Sequence, residues 1–587
     1  MSGKVAELQH LMDEHGLAAS ITELWSNWTS QRNAWVDEQK EKRDFIFATD
    51  TTKTTNSSLP WKNSTTTPKL TQIRDNLHAN YLSALFPNDD WLKWEGYTQD
   101  DEEQQKKEAI QVYMANKTRE SNFRTTVSQL LYDYIDYGNA FADVTFVNET
   151  RMDPETGEEI PGYIGPKLLR ISPLDIVFNP LAADFRSSPK INRVILTWGE
   201  VQKMAEEEPD NAYLQAAVTK GDSVRRNASE YSVDDFHKAT GYCVDGFGNL
   251  KEYYQSGYVE LLEITGDVYD PDTGTLLTNH VITVMDRNTI LRKALIPSWL
   301  GQGTKAHVGW RLRPDNLYAM GPLDNLVGMQ YRIDHLENMK ADAMDLAVYP
   351  PLKIIGDVEE FTWGPHAEIH LDEGGDVQEM GTNLSAVLAA DNQISVLEQK
   401  MEEFAGAPKE AAGIRSPGEK TAFEVQQLQN ASGRIFQEKI TNFEINLLEP
   451  ILNAMLETAR RNMDVIDVAR VMDDDVGVAR FVEVQREDIT ARGKLRPIGA
   501  RHFAAQAQLL QNMSGLLASG VGQMIGPHIS SKQLAKMVED VLGIERFDLI
   551  QPNVAIFEQA ETQRLANQVQ EDLEVEQATP VQEDEVV

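Results

Sequence analysis

The sequence predicts a mixed α/β protein, and three observations carry that expectation. Apolar residues recur at steps of three and four through Leu326, Met329, Ile333, Leu336, Ala343 and Ala347, and again through Val387, Ala390, Ile394, Leu397, Met401 and Phe404, as one face of a helix requires. The stretch YVELLEITGDVYDPDTGTLLTNHVITVMD reads instead as alternating strand, turn and strand, with Gly274 relieving backbone sterics at the turn. The 587 residues are 41% hydrophobic and 25% charged, a composition that builds substantial cores rather than a wholly disordered chain.

The elements follow in order. Leu8, Leu11, Ile21, Leu24, Trp25, Trp28 and Trp35 predict packed N-terminal helices, and after a Thr, Ser and Asn-rich loop Leu70, Ile73, Leu77 and Tyr81 recover an apolar helical face that Pro87 ends. Residues 121–137 predict a helix, followed by Gly138 and the strand-like AFADVTFV; RMDPETGEEIPGY offers a turn and KLLRISP a returning strand. The two central helices are separated by Pro350 and Pro351 and by short strand-like pieces among Gly356, Gly364, Gly374 and Gly375. Gly406, Pro408, Gly413, Pro417 and Gly418 then break the helix into a locally basic loop. Beyond it, Gly418 to Arg461 has strong helix propensity and at 1.5 Å per residue would extend roughly 65 Å, with Pro450 bending or dividing it. FVEVQREDI predicts a short strand, GKLRPIGARHF the start of a third helical region, and SSKQLAKMVEDVLG a compact helix ending at Gly543.

Charge and motif content exclude several functions. Lys and Arg number 55 against 92 Asp and Glu, and the resulting −37 rules out a broadly basic nucleic-acid clamp. One cysteine, Cys243, makes neither an intrachain disulfide nor a multi-cysteine metal site. No apolar run reaches the roughly 18 residues of a membrane span, and MSGKVAELQHLMDEHG lacks the apolar segment of a signal peptide, so no membrane anchor and an intracellular setting are expected. There is no HExxH; His502, His528 and the Asp473, Asp474, Asp475 run read as structural or surface residues, leaving no cofactor, metal or catalytic set to assign. GIRSPGEKT is not a phosphate-binding loop, since Glu419 separates Gly418 from Lys420 and Pro417 restricts the chain. Trp91, Trp94, Tyr97, Tyr132, Tyr134 and Tyr137 fit a hydrophobic core better than a single-strand stacking platform.

Three stretches carry a family resemblance: RISPLDIVFNPLA from Arg170, GPLDNLVGMQYRIDHLENMKADAMDLAVYPPLKI from Gly321, and AGIRSPGEKTAFEVQQLQNASGRIFQEKITNFEINLLEPILNAML from Ala412. In this order of helix, small insertion, helix, Gly and Pro-rich loop and long helix, residues 60–545 resemble a portal protein, the head-to-tail connector of a tailed bacteriophage and in particular of a short-tailed phage. The resemblance implies a portal fold laid out as N-terminal helices and wing (1–320), first stem helix (321–348), clip (349–376), second stem helix (377–404), channel loop (405–417), long helix and wing return (418–500), crown (501–546) and an acidic C-terminal tail (547–587). Leu326, Met329, Ile333 and Leu336 would then pack against Ile394, Leu397, Met401 and Phe404 in the stem.

The same resemblance implies a dodecameric homo-oligomer at one capsid vertex of the virion, assembled in the host cytoplasm. Double-stranded DNA would pass through it during packaging and ejection. Its other partners would be the terminase, a tail adaptor, the major capsid protein, and scaffolding or internal core proteins. Such a ring is a conduit and not an enzyme; an acidic ring disfavours DNA adhesion, which transport requires, while Lys409, Arg415 and nearby Lys420 are the candidate loop contacts to DNA, with Arg332 and Lys340 further candidates on the first stem helix. The alternatives are a head-tail adaptor or capsid scaffold component and, less compatible with the absence of a compact catalytic set, a metal-dependent phage enzyme or nuclease.

Overall fold

The computed structural model describes residues 3–47, 66–86, 91–97, 101–226, 257–299, 303–356, 374–405 and 435–497, apart from residues 12, 153–156, 158, 349, 381–383, 464–465 and 474–477. Cys243, the 501–546 and 547–587 segments, and all of 405–417 except Ala405 lie outside the described residues. The chain divides into two compact units, Met1–Asp467 with Glu483–Gly499, and Val468–Val482 with Ala500–Val587.

The described chain is mixed α/β. It runs β1 (Val5–Glu7), α1 (Glu14–Gln31), α2 (Asn33–Ile46), α3 (Lys69–Leu85), β2 (Leu92–Gly96), α4 (Asp101–Glu120), α5 (Phe123–Asp136), β3 (Asn139–Met152), β4 (Glu159–Ile171), β5 (Ile176–Phe178) and β6 (Lys190–Thr197). Then come α6 (Trp198–Glu207), α7 (Ala212–Arg226), β7 (Tyr258–Tyr269), β8 (Leu276–Met285), β9 (Thr289–Leu295), β10 (Ala306–Gly309), β11 (Arg311–Arg313) and β12 (Asn316–Met320). The last stretch holds α8 (Val327–Val348), β13 (Leu352–Ile355), β14 (Asp376–Glu379), α9 (Leu384–Ala405), α10 (Glu449–Asn462), β15 (Ile466–Asp473), β16 (Val478–Gln485) and β17 (Gly493–Pro497).

The largest sheet has the order β5-β6-β7-β8-β9, and its two covered faces explain why β7 carries apolar residues at both parities. Leu262 and Ile264 join the cluster built around Ile21 and Trp25 of α1. Val259 and Leu261, of the opposite parity, pack with Val201 of α6 and Leu214 of α7. Side chains alternate across a strand, so a strand covered on both sides places apolar residues on each face. The expected turn at Gly274 is present, in the left-handed region at φ +67. β1 was not expected: it is three residues long, too short for a periodic signal, and pairs in parallel with Asp267–Tyr269 at the end of β7, beyond the last residue that β6 covers.

A second sheet, β10-β3-β4, carries the long β3–β4 hairpin expected from RMDPETGEEIPGY. It is joined to α5 by Gly138, whose φ of +69 and close approach both exclude a side chain, since a Cβ there would lie 2.3 Å from the backbone nitrogen of Gly321. Gly321 begins the run into α8, so this contact pins the base of α8 to the junction of α5 and β3.

Two expectations are corrected. GKLRP does not start a helix: it is β17, which pairs antiparallel with β2, Leu495 opposite Trp94. Gly493 and Pro497 disfavour a helix interior, and Asn453 of α10 holds the strand by accepting from the Leu495 N–H at 2.9 Å and donating to its carbonyl at 3.0 Å. Pro450 does not divide the long helix. Residues 435–443 are helical, Glu444–Leu448 form a π-turn, and α10 continues directly, with Pro450 in its first turn. The Glu449 N–H reaches back five residues to the Glu444 carbonyl, and this wider turn absorbs a proline that carries no N–H to donate.

Candidate functional site

α8, the β13–β14 ladder and α9 form a helix, hairpin, helix arm. Its helices are antiparallel: Lys340 late in α8 bonds Asp391 early in α9, while residues early in α8 and late in α9 both meet the start of α3. The β13–β14 ladder lies at the opposite end, with Leu352 paired to Glu379 and Ile355 to Asp376. β14 takes up Asp376–Glu379, held extended by its pairing with β13, and the second helix is described from Leu384.

The expected packing residues separate into two groups. Leu326, Ile333, Leu336, Ile394 and Met401 are buried, and Met329 and Leu397 are half-buried. Phe404 is 58% exposed in the single chain, although Met401 and Ala405 on either side of it are fully buried.

Burial along α8 stops at Asn338. Beyond it Met339, Met344, Leu346 and Val348 are exposed, as are Leu388 and Val396 on α9, Ile354 and Ile355 on β13, and Met380 just after β14. Single exposed apolar residues are ordinary on a protein surface, but a run of this extent on one projecting element marks a surface with an interaction to make.

Of the five candidate DNA contacts, Lys409, Arg415 and Lys420 lie outside the described residues. Arg332 is exposed on α8. Lys340 is committed elsewhere: its ammonium bonds Glu337 at 2.7 Å and Asp391 at 2.9 Å, and these hydrogen bonds, Glu337 first, raise its pKa above the ordinary lysine value. It links the two helices through Asp391.

The base of the arm is polar, which the sequence reading missed. α3 begins at Pro68, which has no side chain able to cap it, and α8 supplies the cap instead. Asp334 Oδ1 accepts from the Thr67 N–H at 2.9 Å, Gln330 Oε1 accepts from the Leu70 N–H at 3.3 Å, and Gln330 Nε2 donates to the Thr67 carbonyl at 2.6 Å and to Asp334 Oδ1 at 2.9 Å. From α9, Glu402 Oε1 accepts from Lys69 Nζ at 2.7 Å, and Lys69 also donates to Gln72 at 3.0 Å. Lys42 of α2 pairs with Asp324 in the turn preceding α8. All of Gln330, Asp334, Lys69 and Glu402 are buried. Burial pushes the Asp334 carboxyl up to about 6, against the opposing effect of its bonds from Thr67 and Gln330, and Glu337 adds like-charge repulsion. A usable signal was present in the sequence: Gln330 and Asp334 stand four apart and flank Ile333 on the apolar face, where polar residues need partners.

From α3 the contacts continue into the body. Tyr81 accepts from Trp310 Nε1 at 3.1 Å and stacks on Phe436 at 5.0 Å. Asn442 donates to the Gly309 carbonyl at 2.8 Å, so the segment around 435–443 is held against β10.

No group of three or more His, Cys, Asp or Glu side chains able to hold a metal occurs among the described residues. His307 stacks on Phe141 at 4.5 Å, bonds Asn139 at 3.0 Å, and is pushed down to about 3 by burial, which makes it a neutral part of the wall of its sheet. No helix among the described residues is long and apolar enough to cross a membrane. Neither family models nor curated protein sequences yield a match to this chain.

Proposed function

We propose that this chain is the portal subunit of a tailed bacteriophage: copies close into a dodecameric ring at one capsid vertex, through which double-stranded DNA enters during packaging and leaves during ejection. The observation that supports the reading is the arm. An antiparallel helix pair with the β13–β14 ladder at its far end buries side chains such as Ile333, Ile394 and Met401 and leaves others of its apolar residues exposed, on α8 chiefly beyond Asn338 and on the ladder itself. A second copy placed against each arm covers them. Because the exposed residues lie on both helices, neighbours meet through different surfaces, and such a heterologous contact closes into a ring when its rotation divides a full turn.

In this reading α8 and α9 are the stem and the segment between them is the clip, which meets the terminase during packaging and a tail adaptor afterwards. The body from 1–320 is the wing, and the 501–546 segment is the crown. The ring has no ATPase role; the terminase moves the DNA, and the portal supplies its docking surface, the hole and the symmetry match to the major capsid protein and to scaffolding or internal core proteins. With −37 on every subunit, the assembly repels phosphate over most of its surface and lets the duplex slide.

Negative-stain imaging of the purified full-length protein tests the reading: thick, centrally perforated rings are expected, and a population of monomers or unperforated particles at micromolar concentration would overturn it. A finer prediction concerns the loop. Reversing Lys409 and Arg415 to Glu is expected to leave ring formation intact while lowering the fraction of assembled particles that retain packaged DNA; normal packaging and retention would remove these residues from the DNA path.

A further inference from the structure

We propose that the seat of the arm on α3 is a proton-sensitive joint, in which Asp334 is the group that titrates and Thr67, at the entry to α3, is what it holds, together with Gln330, which caps the first turn. The proposal concerns the folded subunit and stands whether or not the subunit forms a ring.

The geometry leaves Asp334 half satisfied. Oδ1 accepts from both Thr67 and Gln330, whereas Oδ2 is buried with no hydrogen-bond partner among the described residues. The charged groups around it are committed elsewhere. Lys69 on α3 gives its ammonium to Glu402 of α9 and to Gln72, and Lys42 of α2 pairs with Asp324. Glu337, one turn along α8, is a like charge that itself holds Lys340. The Thr67 N–H, the Gln330 amide and the positive end of the α3 dipole favour the anion. Burial outweighs these groups and pushes the carboxyl up to about 6.

Protonation at Oδ2 removes the buried charge and leaves Oδ1 free to keep accepting from Thr67, so the cap survives neutralisation. The sign follows from linkage. The folded pKa lies above the unfolded value of about 3.9, so the stabilisation supplied by the proton is complete below about pH 4 and is lost as pH rises through about 6. At neutral pH the arm is seated over an uncompensated charge; mild acid tightens it.

Amide hydrogen exchange of the full-length protein reads this directly at Thr67 and Leu70, the two amides that α8 caps. After correction for the intrinsic pH dependence of exchange, protection of both is expected to be roughly 10-fold higher at pH 5 than at pH 8, while amides in β7 and β8 change far less. Asp334→Asn is expected to hold the protected level at both pH values, and Gln330→Ala to lower Leu70 protection at both. If Asp334→Asn fails to fold by circular dichroism, Glu337→Gln provides the second reading: removing the like charge is expected to move the midpoint of the protection change to lower pH. Equal protection at pH 5 and 8 in the parent, or a pH dependence that persists in a folded Asp334→Asn protein, overturns the proposal.

Discussion

A chain carrying Leu346→Asp and Leu388→Asp is expected to stay a folded monomer under conditions where the parent closes into rings. Both side chains are exposed in the single subunit, Leu346 at 47% and Leu388 at 68%, so replacing them removes little that one chain buries, and the cost to the monomer should stay within about 0.5 kcal/mol each. In a ring they would be covered by a neighbour, and each carboxylate would lose water without a partner at a cost of several kcal/mol per contact. A ring multiplies that cost by the number of its interfaces. Sedimentation velocity separates the outcomes: a monomer with parental circular dichroism supports the arm as the assembly surface, and rings of undiminished stability would place the interface elsewhere.

The second large effect is expected at Lys69. Its ammonium and the Glu402 carboxylate are both buried and 2.7 Å apart, joining α3 to the end of α9. Lys69→Met removes one partner of a buried ion pair, a change that costs about 3 to 5 kcal/mol. Replacing both partners by Met removes both charges and should cost much less, since a buried ion pair and an apolar pair of similar size differ little in net stability. Urea denaturation of the parent, Lys69→Met, Glu402→Met and the double Met variant closes the cycle. A loss for Lys69→Met below about 1 kcal/mol would mean that the seat is open to water and that α3 does not carry the arm.

These two predictions draw on residues that differ in how far the sequence revealed them. The arm helices were legible because twenty or so residues of regular three-four spacing outweigh local noise, and the breaks at Pro350 and Pro351 were unambiguous. The strand, turn and strand of β7 and β8 was legible for the same reason at the other period. β1 and β17 were not, because strands of three and five residues carry no period, and their pairing depends on partners hundreds of residues away. Phe404 follows the helical period and is nevertheless 58% exposed in the single chain, since period identifies a face without saying what covers it. Of the loop lysines and arginine, the sequence supplies charge and position; their contacts lie outside the described residues.

What the sequence alone determined is the alternation of periods, the acidic balance, and the existence of an interrupted helix pair, because each is a property of residues close together in the chain. The tertiary structure decided how that pair is attached. Gln330, Asp334, Lys69 and Glu402 are ordinary polar residues until folding brings three helices together and withdraws water from them. Hydrogen-bond pairing and the proton affinity of Asp334 then follow from burial and from which neighbours are near, and neither is encoded in any local window.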